Sequence, residues 1–135
     1  CIHFRFGDYM LAHQSGSRRV TNMPAPDLAW FEDACERVAC ITGSKVLYVV
    51  TDNIEGARIF FGGANFQRYS SVQFQSLDLI EDLARLGKCK GLVNYNSTLS
   101  LMIFGECESI EVGYFGKHLE AKALTKSGRA RATFL

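Results

Sequence analysis

One near-continuous apolar segment, K-V-L-Y-V-V-T at residues 45–51, constrains the fold more than any other feature of the sequence. It is rich in β-branched residues and has no polar alternation, which is typical of a strand that is covered on both faces. Strands of this kind belong to parallel sheets with helices packed on each side. The segment ends in Thr51, Asp52 and Asn53, so a predicted strand leads directly into a polar turn.

Strand-like and helix-like patterns alternate along the rest of the chain, and this order predicts a parallel sheet with helices on both faces. The predicted strands are residues 2–6, 45–51, 70–75, 90–95 and 109–115. The predicted helices are residues 27–42, 54–61, 77–88 and 99–106, and a last helix is predicted at residues 117–126. We therefore predict an α/β fold, a Rossmann-like three-layer sandwich with a mostly parallel sheet of about five strands.

Capping residues mark where three of these helices begin. Asp27 precedes the first apolar stripe and Ser76 precedes the third, so both are predicted N-caps. Asp52 or Asn53 is predicted to cap the second helix. Gly43 is expected to end the first helix.

Length and charge narrow the class of protein. A chain of 135 residues predicts one domain, residues 1–135, with a sizeable core. The formal net charge of +1 gives no strong field toward nucleic acid. The sequence contains no run of about 18 apolar residues, so no transmembrane helix is predicted. No signal peptide is visible either. The chain has no starting Met and opens inside a strand, as a fragment of a larger protein would.

The number and spacing of the cysteines predict free thiols rather than a metal site. Five are present, an odd number with no C-x-x-C spacing, which favours neither a zinc site nor a thioredoxin-like motif. Cys35, Cys40, Cys89 and Cys107 lie in or beside apolar segments, which predicts free buried thiols, although a pair such as Cys35–Cys89 stays open. Free thiols and the lack of a signal favour the cytoplasm, while the localisation itself is unknown from sequence.

The first predicted strand carries the first candidate site. In I-H-F-R-F, residues 2–6, apolar residues alternate with His3 and Arg5, and Gly7 and Asp8 then break the strand. Ligands in open α/β sheets bind outside the carboxyl ends of the strands. An Arg at such a position can hold a phosphate or a carboxylate through two parallel hydrogen bonds. The alternative is an edge strand with a solvated polar face.

The second candidate site follows the predicted strand at residues 90–95. Asn96, Ser97 and Thr98 lead there into a helix. Small hydroxyl residues at a helix N-terminus leave backbone N–H groups available for an anion. The alternative is a plain N-cap by Asn96 or Ser97.

Parallel strands would bring the polar turns at residues 5–8, 51–53 and 96–98 to the same edge of the sheet. One His, one Arg, two Asp and a cluster of Asn, Ser and Thr would then converge. This pattern fits a site for a nucleotide or a sugar nucleotide, with Asp52 hydrogen-bonded to the sugar or the base.

Three motifs resemble those of the GDP-fucose-dependent fucosyltransferases, chiefly the α-1,2 group. Residues 3–9, H-F-R-F-G-D-Y, resemble the H-x-R-R-G-D-Y motif, and residues 50–53, V-T-D-N, resemble a strand ending in Ser/Thr-Asp-Asp. Residues 89–100, C-K-G-L-V-N-Y-N-S-T-L-S, resemble a third motif in which a cysteine and an apolar strand precede N-S-T-F-S-W-W. Trp30 and Phe31 stand where that group often has two tyrosines. Order and spacing agree from residue 1 to about residue 107.

The resemblance implies the C-terminal, donor-binding domain of a two-domain glycosyltransferase of the GT-B type. Such an enzyme transfers fucose from GDP-fucose to a glycan hydroxyl and uses neither a metal nor another cofactor. Its partners are therefore the nucleotide-sugar donor and a glycan acceptor, and not nucleic acid. A fragment of a eukaryotic enzyme of this kind would act in the Golgi lumen.

The same resemblance implies roles for individual residues. Arg5 would sit on the diphosphate and stabilise the leaving GDP, and Asp8 would be the other catalytic residue. His3 would shape the diphosphate pocket, and Asp52 would contact the guanosine. The donor-binding residues that it implies are His3, Arg5, Asp52, Asn53, Asn96, Ser97 and Thr98.

The sequence also departs from the family pattern. Phe6 replaces the second Arg, Asn53 replaces the second Asp, and Leu101 and Met102 replace the two tryptophans. Catalysis by this chain alone is therefore left open. One alternative is a non-catalytic Rossmann-like module for nucleotide binding or protein interaction. Another is an α/β domain that assembles, as a homo-oligomer for example, through the surface at residues 30–31.

Overall fold

The computed structural model describes residues 1–5, 27–95, 97–116 and 122–125, the last as backbone only. The strands are β1 (Ile2–Phe4), β2 (Val46–Thr51), β3 (Ser71–Gln75), β4 (Gly91–Asn94), β5 (Val112–Phe115) and β6 (Lys122–Thr125). The helices are α1 (Leu28–Thr42), α2 (Ile54–Phe61), α3 (Leu79–Gly87) and α4 (Thr98–Glu106). None of these four is both long and apolar enough to cross a membrane.

The six strands form one sheet in the order β3-β2-β1-β4-β5-β6. The strands from β1 to β5 are parallel, and β6 is antiparallel to β5. Five parallel strands flanked by helices confirm the predicted α/β class and are consistent with a Rossmann-like three-layer sandwich. The strand order reverses between β1 and β4, where His3 lies in register with Val50 on one side and with Asn94 on the other.

Alternate side chains of each central strand enter two different hydrophobic cores. Val49 and Val93 pack into the core that includes residues of α1 and α2. Val50 and Leu92 pack into the opposite core, with residues of α3 and α4. Because both faces of the strands are covered, their sequences read as continuous apolar runs rather than alternating ones.

The first two helices begin as capping chemistry predicts. The Asp27 carboxylate accepts a hydrogen bond from the backbone N–H of Ala29 at 3.0 Å. Asn53 rather than Asp52 caps α2, since its side-chain oxygen accepts from the N–H of Gly56 at 2.8 Å. Gly43 ends α1 with a φ of 66°, a left-handed conformation that residues with a Cβ rarely adopt.

The prediction of Ser76 as the N-cap of the third helix is wrong. Asp78 is the N-cap, its carboxylate accepting from the N–H of Glu81 at 2.9 Å, and α3 therefore begins at Leu79. The N–H of Leu77 donates instead to the Asp82 carboxylate at 3.2 Å. Ser76 and Asp78 are both residue types that cap helices. The chain uses Asp78, because the segment before it is bound to Asp82 through the N–H of Leu77.

The predicted helix over residues 117–126 is also wrong. Residues Lys122–Thr125 form β6, which pairs with β5 in the register Val112↔Thr125. The open edge of β5 offers unpaired backbone groups to this segment, a tertiary interaction that overrides local propensity.

The prediction of free buried thiols is wrong for Cys89, which is disulfide-bonded, and for Cys40, which is exposed. Cys1 and Cys89 form a disulfide with their Cα atoms 5.9 Å apart, whereas Cys35, which had been considered as a partner of Cys89, is a free buried thiol. Neither Cys40 nor Cys107 is disulfide-bonded. The pairing arises because β1 lies directly beside β4, so the residues at the starts of these two strands are neighbours.

Only one of the two aromatic residues at positions 30–31 is accessible. Phe31 is fully buried in the core beneath α1. Trp30 is half-buried and packs edge-to-face on Tyr95, with ring centroids 5.2 Å apart. A contact with another chain at this place would therefore use Trp30 and not Phe31.

Candidate functional site

A cleft with a volume of about 530 Å³ opens at the carboxyl ends of β1 and β2 and beside the start of α4. This is the point where the strand order reverses, the usual ligand position in open α/β sheets. Its polar lining residues are His3, Arg5, Thr51, Asp52, Ser76, Asp82 and Ser97. Its apolar lining residues are Val50, Leu77, Leu79, Leu83, Leu86 and Leu99.

Four residues predicted from the sequence line this cleft together. They are His3 and Arg5 from β1 and its end, Asp52 after β2, and Ser97 before α4. The topology gathers them because three parallel strands deliver their carboxyl ends to one edge.

The other predicted site residues lie elsewhere or outside the described part. Asn53 is not among the residues that line the cleft, and its side chain caps α2. Asp8 and Asn96 lie outside the described residues. Thr98 is the first residue of α4, and only its backbone is described.

Asn94, a residue that the sequence analysis did not select, connects two residues that line the cleft, His3 and Ser97. It is buried at the end of β4, and its side-chain N–H donates to the carbonyl oxygen of His3 at 2.9 Å. Its side-chain oxygen accepts from the backbone N–H of Ser97 at 2.6 Å. One amide thus fixes the distance between β1 and the turn that precedes α4.

This bond changes what the start of α4 can offer to an anion. The sequence predicts that backbone N–H groups here are available for an anion, but the N–H of Ser97 donates to Asn94 instead. The Ser97 side chain makes no capping hydrogen bond to the helix. Its hydroxyl and the N–H groups of the first turn, which have no intrahelical acceptor, are therefore the donors at this end.

His3 enters the cleft as a neutral imidazole. Its Nδ1 lies 2.6 Å from the hydroxyl oxygen of Ser100 on α4. Burial lowers the pKa of His3 below the ordinary 6.5, the carboxylates of Asp52 and Asp82 oppose this shift, and Arg5 adds to it. At neutral pH the ring is a hydrogen-bonding group and not a second cation.

Asp82 is the main site candidate that the sequence analysis missed. Its carboxylate accepts from the N–H of Leu77 at 3.2 Å and from Nε2 of Gln75 at 3.0 Å. Gln75 in turn accepts from Nε of Arg85 at 3.0 Å, and the Arg85 guanidinium lies over the Tyr48 ring. This network holds the carboxylate at the wall of the cleft.

Two exposed leucines stand next to Asp82. Leu77 is 56% exposed and Leu79 is 64% exposed, and both line the cleft. These leucines could have been assigned to the site from the predicted strand at residues 70–75. The carboxyl end of β3 lies at the same edge of the sheet as those of the other parallel strands, so the residues after it belong to the candidate site.

The cleft therefore has one part that is rich in hydrogen-bond donors and another that is rich in acceptors and apolar surface. Arg5 and the start of α4 supply donors and positive charge to a negatively charged group. Asp52 and Asp82 supply acceptors, and the leucines beside Asp82 supply apolar surface. Within the described ranges, no group of three or more His, Cys, Asp or Glu side chains could hold a metal ion.

A second, smaller cavity of about 120 Å³ lies at the opposite end of the sheet. Cys1, Val46 and Gly91, at the starts of three strands, line it with Lys88 and Lys90. It shares no lining residue with the cleft.

Comparisons with known proteins give no further information about the cleft. No protein-family model matches the chain, and neither the curated proteins nor the solved structures contain a match to it.

Proposed function

We propose that this chain is the donor-binding domain of a glycosyltransferase that takes fucose from GDP-fucose, with the donor bound in the cleft at the switch point. The observation that carries the proposal is that Arg5 and the start of α4 line the same cleft. A cationic donor and the N–H groups of a helix N-terminus together can hold the diphosphate of a sugar nucleotide.

The diphosphate lies between Arg5 and the Ser97 hydroxyl in this proposal. When the bond between fucose and phosphate breaks, negative charge develops on the leaving GDP. Fixed donors directed at that charge stabilise the transition state more than the ground state. Arg5 and the first turn of α4 supply such donors without a metal ion, in agreement with the metal-free chemistry that the family resemblance implies.

The nucleoside lies toward Asp52 and Asp82. Carboxylates accept hydrogen bonds from ribose hydroxyls and from the N–H groups of a purine base. Leu77 and Leu79 offer an apolar surface for the flat base next to them. The cleft volume of about 530 Å³ is in the range usual for small-molecule sites.

The fucosyl group then passes to a hydroxyl of a glycan acceptor. This hydroxyl must lose a proton during the transfer, and a carboxylate general base would take it. Asp8, for which the resemblance implies a catalytic role, lies outside the described residues, so its part in this step is a prediction from sequence.

Isothermal titration calorimetry with GDP and GDP-fucose tests the proposal. We expect binding by the wild type and an affinity about 10- to 100-fold lower in Arg5→Ala, the loss usual for a charge-assisted hydrogen bond. Arg58→Ala is the matched control, since Arg58 is an exposed arginine on α2 that does not line the cleft. It should bind GDP like the wild type.

The outcomes separate the proposal from its alternative. Absence of GDP binding in the wild type contradicts a donor site of any kind. Binding without transfer of fucose to a galactoside and without hydrolysis of the donor favours the non-catalytic nucleotide-binding module. Equal loss in Arg5→Ala and Arg58→Ala would place the nucleotide outside the cleft.

A further inference from the structure

Ser100 is a buried hydroxyl on an otherwise apolar helix face. It lies in the first turn of α4 and is completely inaccessible to solvent. Its neighbours along the helix that face the core, Ile103 and Phe104, pack against the sheet. A hydroxyl in such surroundings is costly unless it is hydrogen-bonded, and the partner of Ser100 is Nδ1 of His3 at 2.6 Å.

The other ring nitrogen of His3, Nε2, is not the atom that contacts Ser100. His3 lines the cleft, and among the described residues the one hydrogen bond of its side chain joins Nδ1 and the Ser100 hydroxyl. Nε2 is therefore the ring atom that a bound molecule can use. Whether it acts as a donor or as an acceptor depends on which nitrogen carries the proton.

The burial of Ser100 selects between the two tautomers. If the Ser100 O–H donates to Nδ1, the buried hydroxyl hydrogen has an acceptor and Nε2 carries the ring proton. If Nδ1–H donates instead, the hydroxyl hydrogen of Ser100 has no acceptor among the described residues. An unsatisfied buried donor is unfavourable, so the first arrangement is the more stable one.

We propose that Ser100 is a positioning residue of the cleft, whose hydroxyl donates to Nδ1 of His3 and so presents Nε2–H as a neutral donor to the donor diphosphate. The ligand in this inference rests on the proposed function, whereas the tautomer of His3 does not. Ser100 itself contacts no ligand and acts only through His3.

The charges around the ring agree with this assignment. Asp52 after β2 and Asp82 on α3 interact electrostatically with the imidazole from neighbouring elements, and so does Arg5, which follows β1 directly. Burial outweighs the two carboxylates and lowers the pKa of His3, so the ring is neutral at neutral pH and has one N–H to place.

Nitrogen-15 NMR of the ligand-free protein tests the tautomer directly. Long-range correlations from the ring protons distinguish Nε2–H from Nδ1–H, and the His3→Gln variant assigns the signals among the three histidines. We expect Nε2–H in the wild type and in Ser97→Ala, the matched control that removes a cleft hydroxyl not bonded to His3. Ser100→Ala should give a mixture of both tautomers, and Ser100→Thr should restore Nε2–H.

Affinity for GDP is the second measurement. We expect Ser100→Ala to lower it about 3- to 10-fold, as the loss of one neutral hydrogen bond does, while Ser100→Thr binds more tightly than Ser100→Ala. A wild-type His3 with the proton on Nδ1, or an unchanged tautomer in Ser100→Ala, overturns the inference even if GDP binds. Should the Ser100 variants fail to fold, the wild-type tautomer alone decides. A correct tautomer in a protein that binds no GDP contradicts the proposed function and the ligand assigned to Nε2–H.

Discussion

The side-chain amide of Asn94 donates to the backbone carbonyl of His3 at 2.9 Å, so that β4 is tied to β1 at a residue that lines the cleft. The same side chain accepts from the N–H of Ser97 at 2.6 Å. Asn94→Ala removes both bonds and leaves buried polar groups unsatisfied, each at a cost of about 1–3 kcal/mol. We expect urea denaturation to show a loss of about 2–4 kcal/mol in the free energy of unfolding.

Gln67→Ala is the control for Asn94→Ala, because it removes an amide from an exposed position. It should change the free energy of unfolding by less than about 0.5 kcal/mol. Equal effects of the two substitutions would show that the Asn94 bridge does not stabilise the junction of β1 and β4.

Reduction of the Cys1–Cys89 disulfide should destabilise the fold. The bond joins residues that are 88 positions apart, and closing a loop of this length limits the unfolded ensemble strongly. We expect Cys89→Ser to lower the free energy of unfolding by about 4 kcal/mol under oxidising conditions. Cys40→Ser, at an exposed free cysteine, should have little effect. A thiol count of five in the untreated native chain would contradict the bond.

The free thiols should differ in reactivity. Burial raises the pKa of the Cys35 thiol to about 12, so that both access and thiolate content are low. Cys40 is an exposed free thiol on the same helix, α1. Alkylation with iodoacetamide at about pH 8, followed by peptide mass spectrometry, should label Cys40 and spare Cys35 until the protein is denatured. Similar labelling rates in the native protein would contradict the core packing of α1.

His3 should make the protein sensitive to mild acid. Its pKa in the folded state lies below the ordinary 6.5 because of burial, so the unfolded chain binds a proton that the folded chain does not. Stability is then unaffected by His3 above about pH 6.5 and falls as the pH drops toward the folded-state pKa. We expect His3→Gln to flatten this part of the curve of unfolding free energy against pH. Parallel curves for the two proteins would show that the pKa of His3 is not lowered.

The parallel core of the fold was predictable because its signals are local. The apolar run at residues 45–51 and the cap at Asp27 each reflect a short-range rule, and both elements appear as predicted. The tail was not predictable in this way, since β6 exists only because the edge of β5 is open to it. The Cys1–Cys89 bond depends likewise on β1 and β4 being neighbours, which a sequence pattern does not show.

Prediction of the site followed the same division. His3 lies in β1, while Arg5, Asp52 and Ser97 follow strands, and all four could be assigned to one edge from the expected topology. Asp82 could not, because it lies inside a helix and enters the cleft through the fold-back of the segment before α3. The roles of Asn94 and Ser100 were invisible as well, since a buried side-chain hydrogen bond between distant strands and helices leaves no periodic pattern.

Mapping of bound GDP by amide NMR tests the location of the donor site most directly. Titration of the nitrogen-15-labelled protein should shift the amide signals of Arg5, Asp52, Asp82 and Leu99, which lie around the cleft. Signals of Val46 and the other residues of the small cavity at the opposite end of the sheet should stay in place. Shifts confined to that opposite cavity, or no shifts at all at millimolar GDP, would contradict the placement of the diphosphate between Arg5 and α4.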